Sequence, residues 1–213
     1  MKNRSNIGEY LTSLGLTNKG VEVGVFKGEF SKEIVSKWGG ILYMVDPWRP
    51  LGDEYSHSEI EWSTFNHKFE SCSDTYSKAM EAIQGFEDRA IMIRSLSEQA
   101  VDLFEDGSLD FVYLDGNHAY DFIKQDIELW YPKVKKGGIV AGHDYLDMEW
   151  DEGKDYILPN GKDKHIYTNT YEGTQFYNGV FGVNPAVDEF CEKYQLKLNL
   201  NKENWFDTWW VTK

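Results

Sequence analysis

Short apolar runs alternate along this chain with amphipathic segments, the pattern of strands threaded between helices in an α/β sheet. Apolar positions from Ile7 to Leu14 recur at helical spacing and stop at Gly15, which predicts a first helix. Gly20-Val21-Glu22-Val23-Gly24-Val25 reads as a buried strand running into a glycine turn. Ser31 to Trp38 follows as a helix halted by Gly39-Gly40. Ile41 to Asp46 is a second strand, Asp74 to Gln84 a helix and Arg89 to Arg94 a third strand. Ser97 to Phe104 is a short helix, Leu109 to Asp115 a fourth strand closing on an acid, and Tyr120 to Tyr131 the next helix. Gly138 to Asp144 makes a fifth strand. Val187 to Tyr194 is a short helix, and Leu196 to Leu200 and Trp205 to Val211 are two strands joined by a turn over 201–204. They form a terminal antiparallel hairpin on an otherwise parallel sheet. From Tyr145 to about Asn178 the rhythm breaks: Gly153, Pro159, Gly161 and Gly173 punctuate a polar stretch without a period, expected to be a lid or acceptor loop.

The 213 residues suit one domain. With 41% hydrophobic and 27% charged residues, disorder and fibrous repeats are excluded. No stretch reaches the roughly 20 apolar residues of a membrane helix, and MKNRSNIGEY has no apolar run after its basic residues, so a cytoplasmic protein with no membrane partner is expected. A net charge of -14, with no basic run longer than Lys135-Lys136, repels phosphate backbones and argues against nucleic acid. Cys72 and Cys191 have no partner at metal-site spacing, and free thiols are expected.

Ligands of an open parallel sheet bind beyond the carboxyl ends of its strands, and those ends are polar here. Strand one closes in Glu22-Val23-Gly24-Val25-Phe26-Lys27-Gly28, where glycines let the backbone approach a ligand and turn into a helix with free N-terminal amides. Strand two closes in Asp46, an acid able to accept both hydroxyls of a ribose. The turn supplies ExGxxxG rather than the GxGxxG of a dinucleotide grip. By itself it reads equally as a tight strand-to-helix turn, and Asp46 tips it toward a nucleoside ligand.

Glu22, Gly24 and Gly28, then Asp46, then Asp115 at the end of strand four, resemble the class I S-adenosylmethionine-dependent methyltransferases. Within them, LDGNHAYDFIKQDIELWYPKVKKGGIVAGHDY looks like the small metal-dependent O-methyltransferases of the catechol and macrolide-sugar type. The resemblance implies an α/β, Rossmann-like, mostly parallel sheet with helices on both faces and a C-terminal antiparallel hairpin. It implies one methyltransferase domain over 1–213, with a lid or acceptor insertion at about 146–178. It also implies S-adenosylmethionine as cofactor, with Glu22, Gly24 and Gly28 around its methionine part, Asp46 at the ribose, Trp48 and Ser95 near the adenine, and Asp115 as a further cofactor-binding residue. The acceptor would be a small molecule, with sugars favoured over catechols by His143-Asp144 and by His118-Ala119-Tyr120. Methylation of nitrogen stays open.

Asp115, His118, His143 and Asp144 come from the ends of strands four and five, which should be neighbours across the cleft. The resemblance makes Asp115, His143 and Asp144 the ligands of a divalent metal that orients the acceptor and acidifies its hydroxyl. His143 stands where relatives with magnesium present an acid or amide, and its nitrogen suits manganese, iron or zinc better. A metal-free alternative makes His118 or His143 the general base, oriented by Asp115 or Asp144. His118 is also placed to cap the helix beginning near Tyr120. A non-catalytic cofactor-binding module is the rival from another class. Asp126 and Glu128 read as a solvated helix face, His57, His67 and His165 as surface residues, and Trp205, Trp209 and Trp210 as core or a homodimer face. Trp62, Trp150, Tyr156, Tyr167 and Tyr171 could cover the cleft.

Overall fold

The computed structural model describes residues 1, 3–49, 72–118, 120–146, 156–157, 164–165, 169–171, 174–176, 182–201 and 206–213. Its centre is a seven-stranded sheet made of β1 (Lys19–Val23), β2 (Ile41–Asp46), β3 (Ala90–Arg94), β4 (Leu109–Leu114), β5 (Val134–Leu146), β10 (Asn199–Asn201) and β11 (Phe206–Thr212). The order across the sheet is β10-β11-β5-β4-β1-β2-β3. The first five strands pair in parallel, while β11 runs antiparallel to β5 and β10 antiparallel to β11, as the expected hairpin requires. Within the segment expected to be a lid, β6 (Tyr156–Ile157) pairs with β7 (Lys164–His165), and β8 (Asn169–Tyr171) pairs with β9 (Thr174–Phe176), both antiparallel.

Two apolar layers sandwich the sheet. One unites Leu42, Met44, Phe111 and Tyr113 with Ile7 and Leu11 of α1 (Ile7–Ser13), Ile34 and Val35 of α2 (Glu29–Lys37) and Ala79 of α3 (Cys72–Ala82). The other joins Val21, Val112, Leu114 and Val140 to Ala100 of α4 (Ser97–Ala100), Ile123 and Ile127 of α5 (Tyr120–Trp130) and Val187 and Phe190 of α6 (Val183–Tyr194). β4, at the middle, is buried along its whole length, hence its unbroken apolar run with both faces covered. Trp38, Trp130 and Trp209 are each no more than 2% exposed, and every such side chain contributes about 1.5–3 kcal/mol or more by leaving water. Trp209 and Trp210 are therefore core, whereas Trp205 lies outside the described residues. Cys191 is a buried free thiol.

Three features differ from those the sequence predicts, two of them element boundaries. β5 is longer at both ends because β11 and Lys213 pair along it: Gly137 N donates to Lys213 O at 2.7 Å, and Phe206 pairs with Leu146. α6 begins at Val183, four residues earlier, with Pro185 in the first turn where a missing N–H costs nothing. Val183, Ala186, Val187, Phe190 and Cys191 then form one buried stripe. The third is a correction: Asp126 does not lie on a solvated face. It shares the inner stripe of α5 with Ile123, Ile127 and Trp130, is 8% exposed, and accepts a hydrogen bond from Ser97 Oγ at 2.5 Å. Burial pushes its carboxyl up to about 7. Glu128 faces outward and pairs with Lys193 at 2.7 Å.

Candidate active site

The chain leaves β3 at one edge and re-enters beside β1 as β4, so the strand order reverses between β1 and β4 and opens a crevice at their carboxyl ends. Gly24 sits in that crevice with φ of 84°. A Cβ there would lie 2.2 Å from the Asp115 carbonyl oxygen, so only glycine lets the turn after β1 pass this close to the end of β4. Gly28, with φ of 75°, caps α2 in the left-handed conformation.

Asp46 organises the loop between these glycines. Its Oδ2 accepts from Val25 N and Phe26 N, each at 3.0 Å, and its Oδ1 from Trp48 N at 2.8 Å. A carboxylate offers about four acceptor positions, so most of the capacity expected for a ribose is already spent on backbone. Trp48 is 2% exposed, donates from Nε1 to Phe26 O at 2.8 Å and packs edge-on against Tyr76. It braces the loop from behind rather than offering a face toward adenine. Phe26 is thus clamped through both its N–H and its C=O in a conformation with φ of 54°, and its ring is 53% exposed. A bulky residue held at positive φ is a strained feature of the kind that marks functional loops, and nothing in the bare sequence flags it. Ser95, predicted near the adenine, adjoins the same corner through its N–H to Asp46 O at 3.1 Å.

Glu22, 1% exposed, accepts from Ser31 Oγ at 2.5 Å. Burial pushes its carboxyl up to about 8 despite that hydrogen bond, so it is largely neutral at neutral pH.

The other side of the crevice is built from side-chain charge. Pairing between β4 and β5 ends at Leu114 and Gly142, and the sheet partner of the next described β5 residues is β11. There the register shifts: Gly142 faces Trp209 and Tyr145 faces Asp207, so His143 and Asp144 together oppose Thr208. This bulge, with Asp144 at φ of 60°, re-aims the pair toward β4. His118 Nε2 lies 2.6 Å from Asp144 Oδ2 and 3.6 Å from Asp115 Oδ1, and His143 Nδ1 lies 3.2 Å from Asp144 Oδ1. Burial acts to lower the His118 pKa, but bonds and charge from Asp115 and Asp144 prevail and hold it at about 10. Burial would raise Asp144, yet His118 and His143 draw it well below the usual carboxylate range.

Asp115, His118 and Asp144 place ligand atoms within 4.8 Å of one another. The three-residue cluster therefore contains His118, with His143 behind Asp144, where the resemblance pointed to His143 itself. Two carboxylates and an imidazole are the donor chemistry of a divalent transition metal. Arg4, from the turn before α1, also enters the site and ion-pairs with Asp115 Oδ2. It went unmarked because an arginine 111 positions from its partner carries no local signal. The remaining histidines and the aromatics expected over the cleft lie outside the described residues or have side chains outside them.

A family described as "Methyltransferase domain" matches residues 21–145, from β1 to the bulge of β5. The chain belongs to this family, and its fold is that of the class I S-adenosylmethionine-dependent methyltransferases. An uncharacterized protein of Sinorhizobium fredii is 29% identical over 102 residues, 48% of this chain and 10% of that protein. The chain thus spans a small part of that relative's length. Among solved structures, a protein described as a caffeoyl-CoA O-methyltransferase from Staphylococcus aureus superimposes with a TM-score of 0.64 at 13% identity, covering 99% of this chain and 82% of that one. An O-methyltransferase from Bacillus cereus, in complex with S-adenosylhomocysteine (SAH), gives 0.63 at 12% identity, covering 99% and 80%. No helix among the described residues is long and apolar enough to cross a membrane.

Proposed function

We propose that this protein transfers the methyl group of S-adenosylmethionine to a hydroxyl oxygen of a small molecule, with sugars as the favoured acceptors and a divalent cation assisting. The observation that carries the reading is the convergence of Asp115, His118 and Asp144 beside the Gly24 turn, which puts acceptor chemistry next to a nucleoside-type loop. Glu22, Gly24, Gly28 and Asp115 surround the methionine part of the cofactor, and Asp46 and Ser95 the nucleoside part. The segment 146–178 serves as the acceptor side of a single domain over 1–213.

Methyl transfer is an in-line displacement at sulfur-bound carbon, so the protein must align two reactants and remove one proton. Alignment falls to the rigid loop pinned by Asp46 and Trp48. A bound divalent cation supplies Lewis acidity toward the acceptor hydroxyl. Asp115, Asp144 and His118 or His143 hold it.

Calorimetric titration of SAH with and without EDTA, beside elemental analysis of the purified protein, tests this. Binding accompanied by stoichiometric metal that EDTA removes, followed by methylation in a screen of sugars and catechols, is the expected result. Cofactor binding without metal or turnover would sink the enzyme reading in favour of a binding module.

A further inference from the structure

Arg4 has no part in the chemistry above, yet it stands inside the crevice. It opens a short turn that Lys37 pins to the end of α2, Nζ to Ser5 O at 2.7 Å. The guanidinium lies 4.0 Å from the centre of the Phe30 ring and 5.4 Å from that of Tyr113, and the side chain is 23% exposed. Asp115 turns one oxygen to each half of the site: Oδ1 faces His118 and Oδ2 faces Arg4. The pair adjoins Gly24, whose turn touches the Asp115 backbone.

The amino-acid end of S-adenosylmethionine is a zwitterion, an ammonium and a carboxylate on one carbon. A guanidinium held beside a carboxylate is its complement. We propose, resting on the cofactor placement above, that Arg4 and Asp115 form the receptor for this end: Arg4 takes the α-carboxylate, and Asp115 Oδ2 the α-ammonium. Without ligand the two side chains neutralise each other, and binding exchanges one ion pair for two, so no charge is left unpaired in a sheltered site. Stacking on Phe30 orients the guanidinium plane before the ligand arrives, and the planar fork suits a two-pronged bond to carboxylate. A lysine, as a point charge on a flexible stem, reproduces the charge and loses the fork.

The test compares SAH with 5′-methylthioadenosine, which keeps the nucleoside and thioether and lacks the amino-acid end. Both are titrated calorimetrically into wild type, Arg4→Ala and Arg4→Lys. For Arg4→Ala the SAH affinity falls about 10- to 100-fold, the range for losing hydrogen bonds to a charged group, with a smaller loss for Arg4→Lys. Affinity for 5′-methylthioadenosine stays unchanged in both, which also certifies that the variants fold. Equal weakening of the two ligands marks a merely structural Arg4 and overturns the receptor, as does unchanged SAH affinity. Wild type that binds both ligands equally overturns it while sparing the cofactor placement. Wild type that binds neither removes that placement, and the receptor with it.

Discussion

The two walls of the crevice are built on opposite principles. On the β1 and β2 side, Asp46 and Trp48 grip backbone groups of the glycine loop, so the shape is set by bonds that persist whatever ligand is present. On the β4 and β5 side, Arg4, Asp115, His118, Asp144 and His143 hold one another through side-chain contacts, and every one of those contacts can be traded for a contact to a ligand. The first wall is suited to positioning the nucleoside part of a cofactor, and the second to meeting its charged end and to exchanging cations and protons. Breaking each wall should therefore produce a different kind of defect.

The largest effect belongs to Asp144→Ala. It removes the partner of both histidines and one of the three converging donors, so turnover should fall by about 10²- to 10⁴-fold. SAH affinity should stay within about twofold, since Asp144 belongs neither to the backbone-built wall nor to the Arg4–Asp115 pair. A matching loss of cofactor affinity would show that the walls are one site. Next comes Asp46→Ala, with the reverse signature: SAH affinity falls about 10- to 100-fold as the loop loses three anchoring bonds to a carboxylate. Hydrogen exchange at the Val25, Phe26 and Trp48 amides should quicken in parallel. Unchanged exchange would deny Asp46 its organising role.

Much of this division was legible in the sequence, but unevenly. Strand ends carrying Asp46 and Asp115 followed from apolar runs stopping at acids, because burial on both faces writes itself into consecutive residues. The fold shown by the family match follows the same logic. What stayed hidden depends on contacts between distant segments. The bulge that sets His143 and Asp144 against Thr208 arises from the register with β11, and Arg4 reaches Asp115 across the fold. Trp48 was expected near the adenine from the resemblance, and a sequence does not show which side of a loop a ring packs on. Asp126 looked solvated because charge suggests a surface, although its spacing from Ile123 and Trp130 places it inward.

The exchangeable wall also predicts a proton-linked metal. A nitrogen ligand must be deprotonated, and His118 keeps its proton up to about 10 between Asp115 and Asp144. Manganese binding should then release close to one proton and tighten by up to about tenfold per unit between pH 6 and 9. Calorimetry in two buffers of different ionisation enthalpy measures that release. Metal binding with no proton release would remove His118 from the ligand set.

The smallest effect concerns Glu22, which lies under both walls. In the unfolded chain its carboxyl ionises near 4.5, whereas burial keeps it protonated up to about 8 in the fold. A raised folded pKa means that the native state retains a proton the unfolded chain has lost. Its contribution is thus fully present below about pH 4.5 and declines as pH rises toward 8. Asp126, pushed up to about 7, adds a slope of the same sign that wild type and variant share. Glu22→Gln keeps an acceptor for Ser31 and has no proton to lose. Urea denaturation should find it within about 0.5 kcal/mol of wild type near pH 5 and more stable by about 1 kcal/mol or more near pH 8. Parallel pH profiles would mean that Glu22 is ionised in the fold, and the crevice would then carry one more negative charge than the balance of Arg4 and Asp115 allows.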